Sequence, residues 1–181
     1  MRFIIATLFA SLLTGCSPAS YEAPIRIAIN PWPGYEFLYL ASQLDLYAQQ
    51  GLQVEILESA SLADGQRAYQ YGRADGFAST MIEAVQAAVA SAEPLSIVMV
   101  PDYSNGGDVI LAPKSITSMQ GLKGKKIGCE IGSLGMFILQ RALAQANVDP
   151  AEVDFINVEQ LKGEEAMLNG DIDAYVTYPP V

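Results

Sequence analysis

Hydrophobic positions along this chain change their period repeatedly, and each change marks a new element. Ile25, Ile27 and Ile29 alternate with Arg26 and Ala28 as in a strand, and Pro31 to Gly34 turn the chain. Phe37, Leu40, Ala41, Leu44 and Tyr47 then keep helical spacing up to Gly51, a suitable C-cap. Leu52, Val54 and Ile56 alternate as a second strand. Ser61, with Asp64 three positions on, opens a helix from Leu62 to Tyr71, which leads to a short strand at Gly76 to Ala78. An alanine-rich helix from Met81 to Ala92 follows. Leu95 to Val100 form a nearly continuous apolar run, which predicts a strand buried on both faces.

Beyond Pro101 the order recurs. Strands are predicted at Val109 to Ala112, Lys126 to Glu130, Val153 to Ile156 and Ala174 to Thr177, with helices at Met136 to Ala146 and Glu159 to Leu168. The recurrence reaches single residues. Gly72, Asp75, Phe77 and Ser79 lie 98 positions before Gly170, Asp173, Tyr175 and Thr177, while Ile27 and Phe37 lie 100 before Ile127 and Phe137. A period near this length predicts two similar α/β lobes, each a mostly parallel sheet flanked by helices. The lobes divide as residues 25–101 and 108–181, with a hinge at residues 102–107.

Such sheets bind ligands outside the carboxyl ends of their strands, where loops enter helices. Four loops qualify: Asn30 to Gly34, Ser79-Thr80, Gly132 to Gly135, and Thr177-Tyr178. A hinge would face the two pairs over one cleft. Trp32, the single tryptophan, lies between prolines and reads as a ligand-stacking ring, with structural packing the other reading. Tyr35 and Tyr178 are further aromatic walls. Ser79 and Thr80 either cap a helix or meet the ligand, and Gly132 and Ser133 leave backbone N–H groups free to meet a polar group. Asp102 and Ser104 belong to the hinge. No Lys or Arg falls in the four loops, so a neutral heteroaromatic or an amine fits at least as well as an anion.

Residues 1–15 concern delivery. Met1-Arg2 precede the apolar stretch Phe3 to Leu13, too short to cross a bilayer, and small residues lead to Cys16. Leu13-Thr14-Gly15-Cys16 resembles the bacterial lipobox, which implies lipidation of Cys16 and a tether over residues 16–24, outside the cytoplasmic membrane. An ordinary signal peptide is the alternative. Cys129, between Ile127-Gly128 and Glu130-Ile131, is expected to be a buried, unpaired thiol.

Composition narrows the chemistry. Twenty acidic against ten basic residues, net charge −10, speak against nucleic acid as a partner. The absence of histidine removes Ser/His/Asp and Cys/His catalysis and His-ligated metals. The loop Gly132-Ser133-Leu134-Gly135 is too short for a nucleotide-binding P-loop and lacks its Lys-Ser/Thr. No cofactor or metal is expected.

Four stretches carry a family resemblance: Asn30 to Glu36, Asp102 to Asp108, Leu122 to Gly128, and Asp173 to Tyr178. Together they resemble the periplasmic solute-binding proteins of ABC importers, in the group that binds nitrate, sulfonates, taurine and thiamine-pyrimidine precursors. The resemblance implies a type II periplasmic-binding-protein fold, capture of a small solute in the inter-lobe cleft, and delivery to an ABC permease in the membrane. Pro179-Pro180 stand where the family tends to carry Glu after Thr-Tyr. Family members also continue for well over a hundred residues, so the second lobe and the cross-back to the first are expected to be incomplete. Pyrimidine-precursor synthases share the fold but use an active-site histidine. An enzyme of that kind is one alternative, and the extracellular sensor part of a longer signalling protein is another.

Overall fold

The computed structural model describes residues 23–91 and 94–179. The proposed leader and Cys16 lie outside them. No described helix is long and apolar enough to cross a membrane.

The first lobe is built on three parallel strands, β1 (Ile25–Ile29), β2 (Val54–Glu58) and β3 (Gly76–Phe77), in the order β2-β1-β3. Its helices are α1 (Glu36–Gln43), α2 (Leu46–Gln49), α3 (Leu62–Gln70) and α4 (Met81–Ala90). The second lobe has β4 (Val109–Leu111), β5 (Lys126–Cys129), β6 (Asp154–Asn157) and β7 (Ala174–Thr177), with helices α5 (Leu134–Gln145) and α6 (Gly163–Asn169). Its order is β4-β7-β5-β6; β4 runs antiparallel to β7 and the other pairs are parallel. The second sheet therefore repeats the first as β6-β5-β7 and adds one strand beyond β7.

The repeat has a physical basis in two aspartates. The Asp75 N–H donates to Arg26 O at 2.8 Å, and its carboxylate accepts from the Arg26 backbone N–H at 2.9 Å. Asp173 does the same on Lys126, at 2.7 and 2.9 Å. In each lobe the aspartate pins the start of the last parallel strand to the first. The Arg26 guanidinium adds bonds to Asp75 from Nε and Nη2, and with the backbone bond these hold the carboxyl at about 2.

The second lobe has the fuller core. Leu122, Ile127, Cys129, Leu139, Leu143, Val148, Val153, Ala174 and Val176 form one buried cluster between the sheet and α5. On the opposite face Val158, Ile172 and Tyr175 form another, against α6. The α6 backbone approaches the Tyr175 ring so closely that a Cβ on Gly163 would lie 1.8 Å from it. Cys129 is fully buried, as expected, and burial pushes its thiol up to about 11.

Four expectations are corrected. Leu95 to Val100 do not form a strand: the segment is irregular, and Val98 is 94% exposed. A strand needs a ladder partner, yet β1 is already paired on both sides and β3 is two residues long. The helix through Phe37 and Tyr47 breaks at Asp45, which adopts φ +54°, a left-handed conformation that a short polar side chain tolerates. The last helix starts as a 3-10 turn at Gln160–Lys162 before α6, and α5 begins at Leu134, earlier than its apolar period suggests.

Candidate functional site

A cavity of about 920 Å³ opens between the two lobes beside the segment that joins them. Asn30 ends β1, and the turn after it brings Trp32, Gly34 and Tyr35 to the wall. Ser79 and Thr80 arrive from the end of β3, Asp102, Ser104 and Asp108 from the connecting segment, and Leu134 and Tyr178 from the second lobe. No Lys or Arg is among the lining residues.

Trp32 is fixed on two sides. Its indole Nε1 donates to Asp102 Oδ2 at 2.8 Å, and its ring meets that of Tyr178 edge-on, centroids 5.8 Å apart at 71°. Only glycine fits beside it at position 34, where a Cβ would lie 1.5 Å from Asp102 Oδ2 and 2.5 Å from Trp32 Nε1. The Asn30 Nδ2 donates across the lobes to Tyr178 Oη at 3.1 Å, whereas Asn30 Oδ1 is buried with no partner. Burial raises the phenol pKa values of Tyr35 and Tyr178 well above the ordinary tyrosine range, and nearby carboxylates raise them further. Both phenols stay protonated at neutral pH. Ser104 Oγ donates to Asp108 Oδ2 at 2.5 Å, and so shapes the connecting loop.

Of the residues singled out from the sequence, Trp32, Tyr35, Ser79, Thr80, Asp102, Ser104 and Tyr178 share this cavity. Gly132, Ser133 and Thr177 do not line it. Gly132 is an exposed turn residue at φ +82°, Ser133 is buried with its hydroxyl on Glu83, and Thr177 Oγ1 turns back to Tyr178 O. Ser79 Oγ likewise turns to Thr80 O, 3.0 Å away. Thr80 caps the helix and also lies in the cavity wall. Its hydroxyl accepts from Ile82 N–H at the start of α4, while the residue lines the cavity.

Neither Glu83 nor Glu130 is among the site residues read from the sequence. Glu83 is fully buried and accepts hydrogen bonds from Thr80 N–H and Oγ1 in its own lobe and from Ser133 Oγ and Leu134 N–H in the other. Glu130, at the end of β5, accepts from Ala63 N–H at 2.9 Å across the lobes. Burial raises its carboxyl pKa, and bonds from Ser61 and Ala63 offset part of that rise. The spacing Thr80-x-x-Glu83 is a visible capping box; its second function is not visible. Among the described residues no three His, Cys, Asp or Glu side chains converge to hold a metal.

Residues 32–180 match the family described as NMT1/THI5 like. The chain belongs to that family. Among curated proteins, a 4-amino-5-hydroxymethyl-2-methylpyrimidine phosphate synthase from Legionella pneumophila is 27% identical over 142 residues, 77% of this chain and 45% of that protein. The fold matches the alkanesulfonate-binding protein SsuA from Xanthomonas axonopodis bound to MOPS, with TM-score 0.75 and 24% identity, over 87% of this chain and 55% of that one. It also matches the periplasmic nitrate-binding protein NrtA from Synechocystis, with TM-score 0.71 and 16% identity, over 87% and 47%. The chain thus spans about half the length of these proteins, and its α/β lobes with parallel sheets have the periplasmic-binding-protein fold.

Proposed function

We propose that this chain belongs to an extracytoplasmic solute-binding lipoprotein of an ABC importer. It captures a small polar solute in the cleft between residues 25–101 and 108–181, hinged at residues 102–107 and tethered through Cys16. The observation that carries this reading is the inter-lobe cavity. Its walls offer the Trp32 and Tyr178 rings and the Asp102 carboxylate, with no basic side chain, and the lining residue Asn30 keeps a buried, unpartnered acceptor in Oδ1. Aromatic faces with fixed acceptors suit a flat, uncharged heteroaromatic bearing N–H groups, such as a pyrimidine, better than a nitrate- or sulfonate-like anion.

The test is a titration of the full-length protein with aminopyrimidines, small amines and small sulfonates, followed by Trp32 emission. Saturable change with at least one solute, abolished in Asn30→Ala, is the expected outcome; a silent panel rejects the reading. The Legionella synthase supports a second reading, an enzyme acting on a pyrimidine precursor. This chain carries no histidine to serve as its acid or base. Product formed from an aminopyrimidine phosphate by the full-length protein would establish that reading in place of the first.

A further inference from the structure

We infer that Glu83 and Glu130 set the selectivity of the cleft, each carboxyl filling a helix N-terminus of the opposite lobe so that small oxyanions are refused. The inference rests on the cleft being the solute site, and it deepens that reading by excluding a solute class.

The two carboxylates are arranged reciprocally. Glu83 leaves the first turn of α4 and accepts from Ser133 Oγ and Leu134 N–H, both at 2.9 Å, at the start of α5 in the second lobe. Glu130 leaves the second lobe and accepts from Ala63 N–H and the Ser61 hydroxyl at the start of α3 in the first. Ser61 and Ser133 both stand at N-caps with extended backbone. Free N–H groups and the helix dipole make such positions ready receptors for an oxyanion. Here a protein carboxylate already holds both.

Neither carboxylate takes part in a described ion pair; N–H and O–H donors compensate Glu83, while Glu130 Oε1 accepts from Ala63 N–H and its Oε2 is buried with no partner. Glu83 has four donors, two from each lobe. Leu62, Thr80 and Leu134, which flank these junctions, line the cavity itself. A sulfonate or nitrate entering there would find the N–H of the lining residue Leu134 already taken by Glu83. A neutral or amine-bearing solute needs no such donor.

The experiment compares the full-length protein with its Glu83→Ala variant by calorimetric titration with methanesulfonate and, in parallel, with 4-aminopyrimidine. Wild type should show no saturation with methanesulfonate up to about 10 mM, whereas Glu83→Ala, with Ser133 Oγ and Leu134 N–H released, should bind it at least about tenfold more tightly. Submillimolar binding of methanesulfonate by the wild type overturns the inference, as does a folded Glu83→Ala protein that binds it no better. If Glu83→Ala does not fold, Glu130→Ala frees Ala63 N–H and Ser61 Oγ and carries the same expectation and the same refutation. The two readings fail separately. Silence of every solute toward the wild type rejects the cleft reading, while a gain of methanesulfonate binding in the variant still supports the role given to the carboxylates.

Discussion

One added carbon at position 34 would break the wall of the cleft. The site of that carbon is already filled by the Asp102 carboxylate that holds Trp32, so Gly34→Ala must push the two apart. A loss of about 1–3 kcal/mol is expected, read as a lower urea midpoint with unchanged slope; an unshifted midpoint would show that the loop yields freely. Two carboxyls titrate with opposite sign. Asp75 is held at about 2, below its unfolded value of about 3.9, so its stabilisation is present above that value and is lost as pH falls toward 2. Asp75→Asn should therefore differ most from wild type near neutrality and converge with it in acid, in urea midpoints measured across pH. Glu130 is raised, so the folded state favours its protonated form and stability declines as pH rises from the unfolded value of about 4.3 through the folded one. Glu130→Gln should gain on wild type as pH rises above the unfolded value, and a constant difference across pH would contradict the assignment. Trp32, Tyr35 and Tyr178 were legible as residues of the cavity wall because a bulky aromatic in a strand-end loop has few other uses. The contact of Glu83 with the other lobe was not, because its partner Ser133 lies 50 residues away and no local spacing encodes that contact.

At the scale of elements, the sequence predicted what depends on local period and missed what depends on a neighbour. The strands β1, β5 and β7 follow from alternation or from continuous apolar runs, and the Ser61 cap from its Asp64 N–H contact at 3.2 Å. Leu95 to Val100 carry an equally strong apolar signal, but pattern does not supply a ladder. The two sheets differ at the corresponding edge. In the second lobe β4 covers β7, whereas in the first no described strand lies beyond β3. Packing of α6 on β7 is tight enough to test: Gly163→Ala would drive a methyl into the Tyr175 ring and should cost about 1–3 kcal/mol of stability. The same lobe holds a thiol suited to following its opening. Cys129, buried and raised to about 11, should resist iodoacetamide in the native protein at pH 8 and react on unfolding. Rapid native labelling would mean that β5 is exposed more often than its packing implies.

Across the whole molecule, a long irregular segment joins two hydrogen-bonded sheets, and carboxylates cross between them. Residues 94–108 carry no regular structure, and most are exposed. Limited proteolysis should cut there first and leave fragments that separate only on denaturation, which mass spectrometry under native and denaturing conditions would show. First cleavage within α5 or β5 would contradict that ranking of local stability. The surface bridges Arg26–Asp75, Lys123–Glu152 and Lys125–Asp173 lie within a screening length of bulk electrolyte. Glu83 does not, being fully buried and held by neutral donors. Ionic strength therefore acts unequally on this protein: molar salt weakens the pins within each sheet while leaving the junction between the lobes nearly untouched, so in brine the lobes should loosen internally before they part.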